Sequence, residues 1–269
     1  MFREYLNNNY NKNTADRYYF AVDKLLKGIQ FNNVNEINIK FVEENLSKIR
    51  TKSNFSAAKN GLKQFNIVFP ELVLPNEEYF KNLSVKKKNR SIKPKNTLYL
   101  DEIRRKINSL KNNKYKYAFR LMLISGLRVN ETAALTKSDI VISDNKITIM
   151  VRNGKGGSNG LVECLPDEYL IKKLNEYIHD KAEDEKLFYT TKTMQSKAQK
   201  IGIECHDLRR IAAITHRKMN VKEQGVYVAN NGVKKLLRHK RFSTTKRYLF
   251  NKKLVFQTKK ELEINQNKG

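Results

Sequence analysis

The first third of the chain repeats apolar residues at the three- and four-residue spacing of helices that bury one face. Tyr18, Val22 and Leu25 share such a face, and Gly28 ends the pattern. The same spacing predicts four helices in this part of the chain, over residues 14–27, 39–49, 54–69 and 76–83. We expect Asn54 to cap the third helix. The first third is therefore predicted to form a small helical domain.

Beyond residue 100 the pattern is again mostly helical, with one interruption. It predicts two helices and then two strands, over residues 102–110, 115–124, 146–151 and 161–165. Asp101 is placed to cap the first of these helices, and helical spacing returns after Pro166 and continues to the end. We therefore expect a second, mostly helical domain with a small β-hairpin.

The turn of that hairpin, residues 153–160, is rich in glycine. A phosphate-binding Walker loop has a Gly-Lys-Ser/Thr sequence that leads into a helix. Here Gly156 follows Lys155, and a strand comes next. The pattern therefore favours a hairpin tip over a nucleotide-binding loop.

A cationic segment separates the two predicted domains. Residues 85–96 contain six cations, one proline and no acid, which is typical of a solvated linker. The predicted organisation is a helical domain over residues 1–84, a linker over 85–97 and a second domain over 98–269. In a DNA-binding protein the linker cations could also lie along phosphates. Its candidate DNA contacts are Lys86, Lys87, Lys88, Arg90, Lys93 and Lys95.

Charge suggests the class of partner. The chain has 54 Lys+Arg against 27 Asp+Glu, a net charge of +27 and a pI near 9.9. A lysine-rich composition bias explains part of this excess, but the deficit of acids favours a polyanion such as nucleic acid. Cys164 and Cys205 form no C-x-x-C pair, and we find no membrane span or signal peptide. We expect a cytoplasmic protein.

Three separated segments carry candidate chemistry. They are residues 125–131 (SGLRVNE), 206–209 (HDLR) and 236–248 (LLRHKRFSTTKRY). Their candidate residues are two arginines (Arg128 and Arg209), two histidines (His206 and His239) and a tyrosine (Tyr248). Attack on a phosphodiester through a covalent intermediate needs a hydroxyl nucleophile and cations on the phosphoryl oxygens. Taken singly, each residue has a simpler explanation, such as a local ion pair between Arg128 and Glu131.

In their order and context these segments resemble the tyrosine recombinase (phage integrase, Xer-like) family. The resemblance covers roughly residues 98–248 and includes the hairpin Gly154-Lys155-Gly156, with a weaker match in the N-terminal helices. Arg238 departs from it, because a glycine is usual before the histidine. The resemblance implies a mainly α fold, with a SAM-like core-binding domain and a catalytic domain that has a small sheet.

The resemblance also implies a role for each residue. Tyr248 would be the nucleophile that forms a 3′-phosphotyrosyl bond, and Lys155 would protonate the leaving 5′-oxygen. Arg128 and Arg209 would hold the phosphoryl oxygens, and His239 would donate to the same charge. His206 would assist proton transfer at the tyrosine, and Glu131 would support the arginines. No metal, ATP or other cofactor is implied.

The function implied is site-specific DNA recombination, whether for integration, excision, inversion or dimer resolution. Its expected partner is duplex DNA with inverted half-sites, on which four copies of the chain assemble through a C-terminal oligomerisation tail. The resemblance leaves room for accessory DNA-bending proteins. Because the first helix is predicted near residue 14, we expect no additional arm-binding domain. Two alternatives stay open, a type IB-like DNA topoisomerase and a non-catalytic DNA-binding regulator on the same fold.

Overall fold

The computed structural model describes residues 1–27, 37, 39–70, 100–143, 145–154 and 158–249. The chain divides into two compact units, Met1–Ile92 and Lys93–Gly269. The predicted helix over residues 76–83, the linker and the C-terminal tail lie outside the described residues.

The first unit contains four described helices, α1 (Phe2–Asn9), α2 (Lys12–Leu26), α3 (Ile39–Ser47) and α4 (Lys52–Val68). Leu6, Val22, Leu46 and Leu62 form the centre of its core. Gly61 brings α4 close to α2, because a Cβ at this position would lie 2.8 Å from Val22 Cγ2 and 2.9 Å from a backbone oxygen of α2. The approach is therefore closer than an alanine would permit.

Two local predictions for this unit were wrong. Helix α1 precedes the helix expected near residue 14, and it buries Phe2 and Leu6. Thr51, and not Asn54, caps α4: its hydroxyl accepts the backbone N–H of Asn54 at 3.3 Å. Asn54 instead lies in the first turn.

The second unit begins with α5 (Leu100–Asn108), α6 (Asn113–Ser125) and α7 (Val129–Ala134). Helix α6 is buried over most of its length and lies at the centre of the core. Asp101 lies within the first turn of α5 and does not precede it as a cap. A 3₁₀ turn at Lys137–Asp139 then leads into the sheet.

The sheet has three antiparallel strands in the order β1 (Ile140–Ser143), β2 (Lys146–Gly154) and β3 (Ser158–Glu163). Ile149 of β2 pairs with Ile140 on one side and with Val162 on the other. These three residues are buried against the helices. Strand β1 was not predicted, whereas the hairpin was.

Four further helices complete the described chain: α8 (Glu168–Ile178), α9 (Thr191–Lys200), α10 (Cys205–Leu236) and α11 (Phe242–Leu249). Helix α10 packs on α6 and α11, and it is interrupted at Gly225, whose backbone is non-helical (φ 75°). The prediction of a mainly helical fold with a small antiparallel sheet is confirmed.

Candidate active site

A tight turn between α6 and α7 presents Arg128. Gly126 ends α6 in the left-handed conformation (φ 64°), which glycine adopts without strain. A Cβ here would lie 2.9 Å from Leu237 Cδ2. The turn that presents Arg128 is therefore packed against the segment that precedes His239.

Glu131, one turn into α7, carries a fully buried carboxylate. Its Oε2 accepts the backbone N–H of Arg128 at 2.8 Å, and its Oε1 lies 2.6 Å from Arg128 Nη1. The same carboxylate receives Arg238 Nη2 at 2.5 Å and lies 3.9 Å from Arg209 Nη1. Glu131 therefore fixes Arg128 through both its backbone and its side chain.

Arg209 is the largest buried charged side chain of the unit, with 1% of its surface exposed. Its guanidinium donates to the carbonyl of Gly126 and, at 2.6 Å, to that of Leu237. Burial, reinforced by Arg128, lowers its pKa to about 10, so the cation persists at neutral pH. Arg209 thus joins the first arginine segment to the histidine segment.

His239 lies between Arg209 and Thr245. Its Nε2 is 3.3 Å from Arg209 Nη2, and its Nδ1 is 3.0 Å from Thr245 Oγ1. A guanidinium can only donate, so Nε2 must accept and Nδ1 must carry the proton. Burial and then Arg209, Arg128 and Arg238 lower the pKa of His239 to about 4, which keeps the ring neutral.

Tyr248 on α11 lies between the two histidines. The centroids of the His206 and His239 rings are each 5.2 Å from that of Tyr248, and Arg209 Cζ is 5.9 Å from it. Partial dehydration, Arg210 and Arg209 lower the pKa of His206. At neutral pH the phenol therefore has an uncharged imidazole beside it.

These groups open onto one cleft of about 610 Å³. Arg128, His206, Arg209, His239 and Tyr248 all line it. The structure thus brings five of the six predicted catalytic residues together and places Glu131 behind them. Lys155 and the six linker cations lie outside the described residues, so their roles stay predictions.

Gln195, Gln199 and Thr245 are among the polar neighbours of this cleft that sequence reasoning missed. Gln195 and Gln199 line it from α9, and buried Thr245 holds His239 from behind. The two glutamines are four residues apart and therefore share a helix face, which was the available signal. For Thr245, no sequence pattern separates a hydroxyl that contacts histidine from one that faces solvent.

Within the part of the chain that the structure describes, no three His, Cys, Asp or Glu side chains are grouped as they would be around a metal ion. Likewise, none of the described helices is both long and apolar enough to cross a bilayer.

Comparison with known proteins gives the family. The profile of the phage integrase family matches residues 96–254. Tyrosine recombinase XerA of Saccharolobus solfataricus is 34% identical over 175 residues, which make up 62% of this chain and 57% of that protein. The matched segment therefore spans less than two thirds of this relative's length.

Solved structures share the fold at low identity. A lambda integrase(75–356) dimer bound to a COC′ core site has a TM-score of 0.64 and 17% identity, over 90% of each chain. XerH site-specific recombinase bound to palindromic difH substrate has a TM-score of 0.60 and 18% identity, over 94% of this chain and 77% of that one. At these identities they support the fold alone. Because the family profile covers more than half of the 269 residues, the chain belongs to the phage integrase family of tyrosine recombinases.

Proposed function

We propose that this chain is a site-specific DNA recombinase that cleaves and rejoins duplex DNA through a 3′-phosphotyrosyl intermediate at Tyr248. The observation that carries the proposal is the single cleft in which the Tyr248 phenol meets two arginines and two histidines. The net charge of +27 supports a nucleic-acid substrate for it.

In the proposed cleavage step, Tyr248 Oη attacks the scissile phosphorus as the phenol loses its proton. The bond from phosphorus to the 5′-oxygen breaks, and that oxygen leaves as a hydroxyl after taking up a proton. Rejoining is the reverse, with a 5′-hydroxyl of another strand as the nucleophile. The phosphotyrosyl bond retains the free energy of the broken phosphodiester, so the step needs no external energy source.

The cations stabilise the charge that grows on the phosphoryl oxygens. Arg128 and Arg209 each offer a planar fork of N–H donors, a geometry that lysine lacks. Both forks are held before DNA arrives, Arg128 by Glu131 and Arg209 by two backbone carbonyls. Because the donors are already oriented, little reorganisation is needed in the transition state.

We assign proton transfer to residues that lie beside Tyr248 or the scissile phosphate. We propose that His206 takes the phenolic proton: its lowered pKa favours the neutral ring at pH 7, and its ring centroid lies 5.2 Å from that of Tyr248. His239 is neutral too, with its proton on Nδ1. It can donate to phosphate only after a proton reaches Nε2, which an approaching phosphate anion would favour. Lys155 is proposed to protonate the leaving 5′-oxygen, on the family resemblance of its hairpin.

For the assembly, we propose duplex DNA with inverted half-sites, bound by a homo-tetramer, with the linker on phosphates and the C-terminal tail between subunits. The support is that related structures hold a lambda integrase dimer on a core site and a lambda integrase tetramer on a Holliday junction. Accessory DNA-bending proteins and a cytoplasmic location belong to the same proposal.

The test begins in the host. DNA that is covalently attached to the chain is recovered there and sequenced. Two copies of the recovered sequence in one plasmid should recombine when the purified protein is added. Relaxation of supercoils without exchange would favour the topoisomerase alternative. Sequence-specific binding with no adduct would favour the regulator.

A further inference from the structure

Arg238 has an unusual backbone for a residue with a side chain. Its φ is 51°, in the left-handed region that residues other than glycine, asparagine and aspartate seldom adopt. It lies between the end of α10 and His239, and only 8% of its side chain is exposed. A buried guanidinium on a strained backbone persists only where neighbouring groups stabilise it.

The main such neighbour is Glu131. Arg238 Nη2 lies 2.5 Å from Glu131 Oε2, the oxygen that also accepts the backbone N–H of Arg128. The other carboxylate oxygen binds Arg128 Nη1 at 2.6 Å. One buried carboxylate is thus shared between the guanidiniums of Arg238 and Arg128.

The stem of Arg238 also packs against the hairpin. A Cβ on Gly160 of β3 would lie 3.4 Å from Arg238 Cδ. Arg238 therefore contacts α7 through Glu131, lies close to β3 and directly precedes His239. It connects the carboxylate that holds Arg128 with the segment that carries His239.

Neither Arg238 nor Glu131 is among the described residues that line the cleft. A substrate phosphate in the cleft would meet Arg128 and not Arg238. The geometry gives Arg238 a route to the chemistry through the Glu131 carboxylate, which also binds Arg128. Without Arg238, the carboxylate would have one partner fewer at Oε2 and could turn, and Arg128 would turn with it.

We propose that Arg238 is a positioning residue, which shares the Glu131 carboxylate with Arg128 and so fixes the Arg128 guanidinium for strand cleavage. This rests on the proposed function, because cleavage is the step that it assists. The claim is distinct from a purely structural role, which would affect folding and leave the cleavage rate of the folded protein unchanged.

The test compares Arg238→Met and Arg238→Gly with the wild-type protein. Methionine keeps an apolar stem against Gly160 but removes the charge. Glycine removes the side chain and relieves the backbone, so any reduction in rate cannot be assigned to backbone strain. We expect both variants to bind DNA within about twofold of wild type, because binding is spread over many phosphates. Single-turnover cleavage at saturating DNA should fall by about tenfold to a hundredfold, the scale of a misplaced catalytic group.

A double-mutant cycle with Glu131→Gln distinguishes positioning through Glu131 from a structural role. A purely structural role would not make the effects of the two substitutions on the cleavage rate depend on each other. If Arg238 acts through Glu131, Arg238→Met should reduce the rate by less than about twofold in the Glu131→Gln background, since coupled residues are not additive. Cleavage rates of both variants equal to wild type, or additive reductions in the cycle, would overturn the positioning role alone. Absence of a covalent adduct from the wild-type protein would overturn the proposed function, and this inference with it.

Discussion

Tyr248 shares its cleft with two imidazoles and two guanidiniums, and these neighbours determine what the phenol can do. Arg209 reaches it from α10 and Arg128 from the turn before α7, and His206 and His239 lie on either side of its ring. A phenol is a weak nucleophile at neutral pH unless a nearby base takes its proton. The reactivity proposed here therefore belongs to the arrangement and not to the tyrosine alone.

The identity of these residues could be predicted from their order and local context, but their partners could not. The sequence indicates that Arg128 and Glu131 share one turn of a helix. It does not show that Arg238, more than a hundred residues later, binds the same carboxylate, because nothing local links positions 131 and 238. Thr245, six residues after His239, was missed because no sequence pattern distinguishes a hydroxyl that contacts a histidine from one that faces solvent.

Lysine in place of Arg128 or Arg209 keeps the positive charge but lacks the planar N–H donors of the guanidinium. We expect single-turnover cleavage by each variant to be slower by about a hundredfold or more, the scale of removing one transition-state donor. Arg210→Lys is the matched control, because Arg210 pairs with Asp207 and does not line the cleft. Rates within a few fold of wild type for Arg128→Lys or Arg209→Lys would place that arginine outside the site.

The low pKa of His239 makes folding depend on pH. The groups that face it are Arg209, Arg128, Arg238, Glu131, Thr245 and Tyr248. The folded pKa of His239, about 4, lies below the unfolded value of 6.5. Its contribution to the free energy of unfolding is therefore complete above pH 6.5 and is lost as the pH falls towards 4.

Relative to His239→Gln, the wild-type protein should therefore lose up to about 3 kcal/mol of unfolding free energy between pH 7 and pH 4. Denaturant titrations at several pH values measure the difference. Parallel pH curves for the two proteins would show that the ring is not held neutral by its surroundings.

Among the elements, the helices with repeated apolar positions were predictable, whereas the short α1 and β1 were not. Helices α2 and α4 carry repeated apolar positions, and they formed close to the predicted ranges. Helix α1 has eight residues, and β1 has four. Segments of this length show too few repeats for periodicity to identify them, and they form because tertiary packing covers their apolar side.

The close approach of α2 and α4 predicts the effect of a substitution at Gly61. Alanine at Gly61 would place a Cβ within 3 Å of both Val22 Cγ2 and the carbonyl oxygen of Tyr18. Although alanine favours a helix over glycine, we expect Gly61→Ala to destabilise the protein by about 1–3 kcal/mol through overpacking. Thermal and denaturant unfolding measure this, with Ser56→Ala on the exposed face of α4 as the control. A stabilised Gly61→Ala protein would show that the helices are farther apart.

For the whole molecule, the charge excess predicts how binding depends on salt. We expect Gln at Lys86, Lys87, Lys88 and Arg90 to weaken binding to all duplexes alike. The slope of log K against log salt should become shallower by up to about 3.6 units, at roughly 0.9 for each phosphate that is no longer neutralised. Lys172→Gln with Lys173→Gln, on α8, is the control, since neither lysine lines the cleft. An unchanged slope for the linker variant would mean that the segment is only solvated.

The covalent bond between Tyr248 and the 3′ end of a cleaved strand is the step on which the proposed function depends. The most direct measurement uses a nicked duplex of the recovered target site, with a label on either side of the scissile phosphate, followed by denaturing electrophoresis and peptide mapping. The account predicts that the adduct carries the label on the 5′ side of the break, maps to the peptide that contains Tyr248 and is absent from Tyr248→Phe, which still binds DNA. An adduct at wild-type levels from Tyr248→Phe, or one that carries the opposite label, would contradict it.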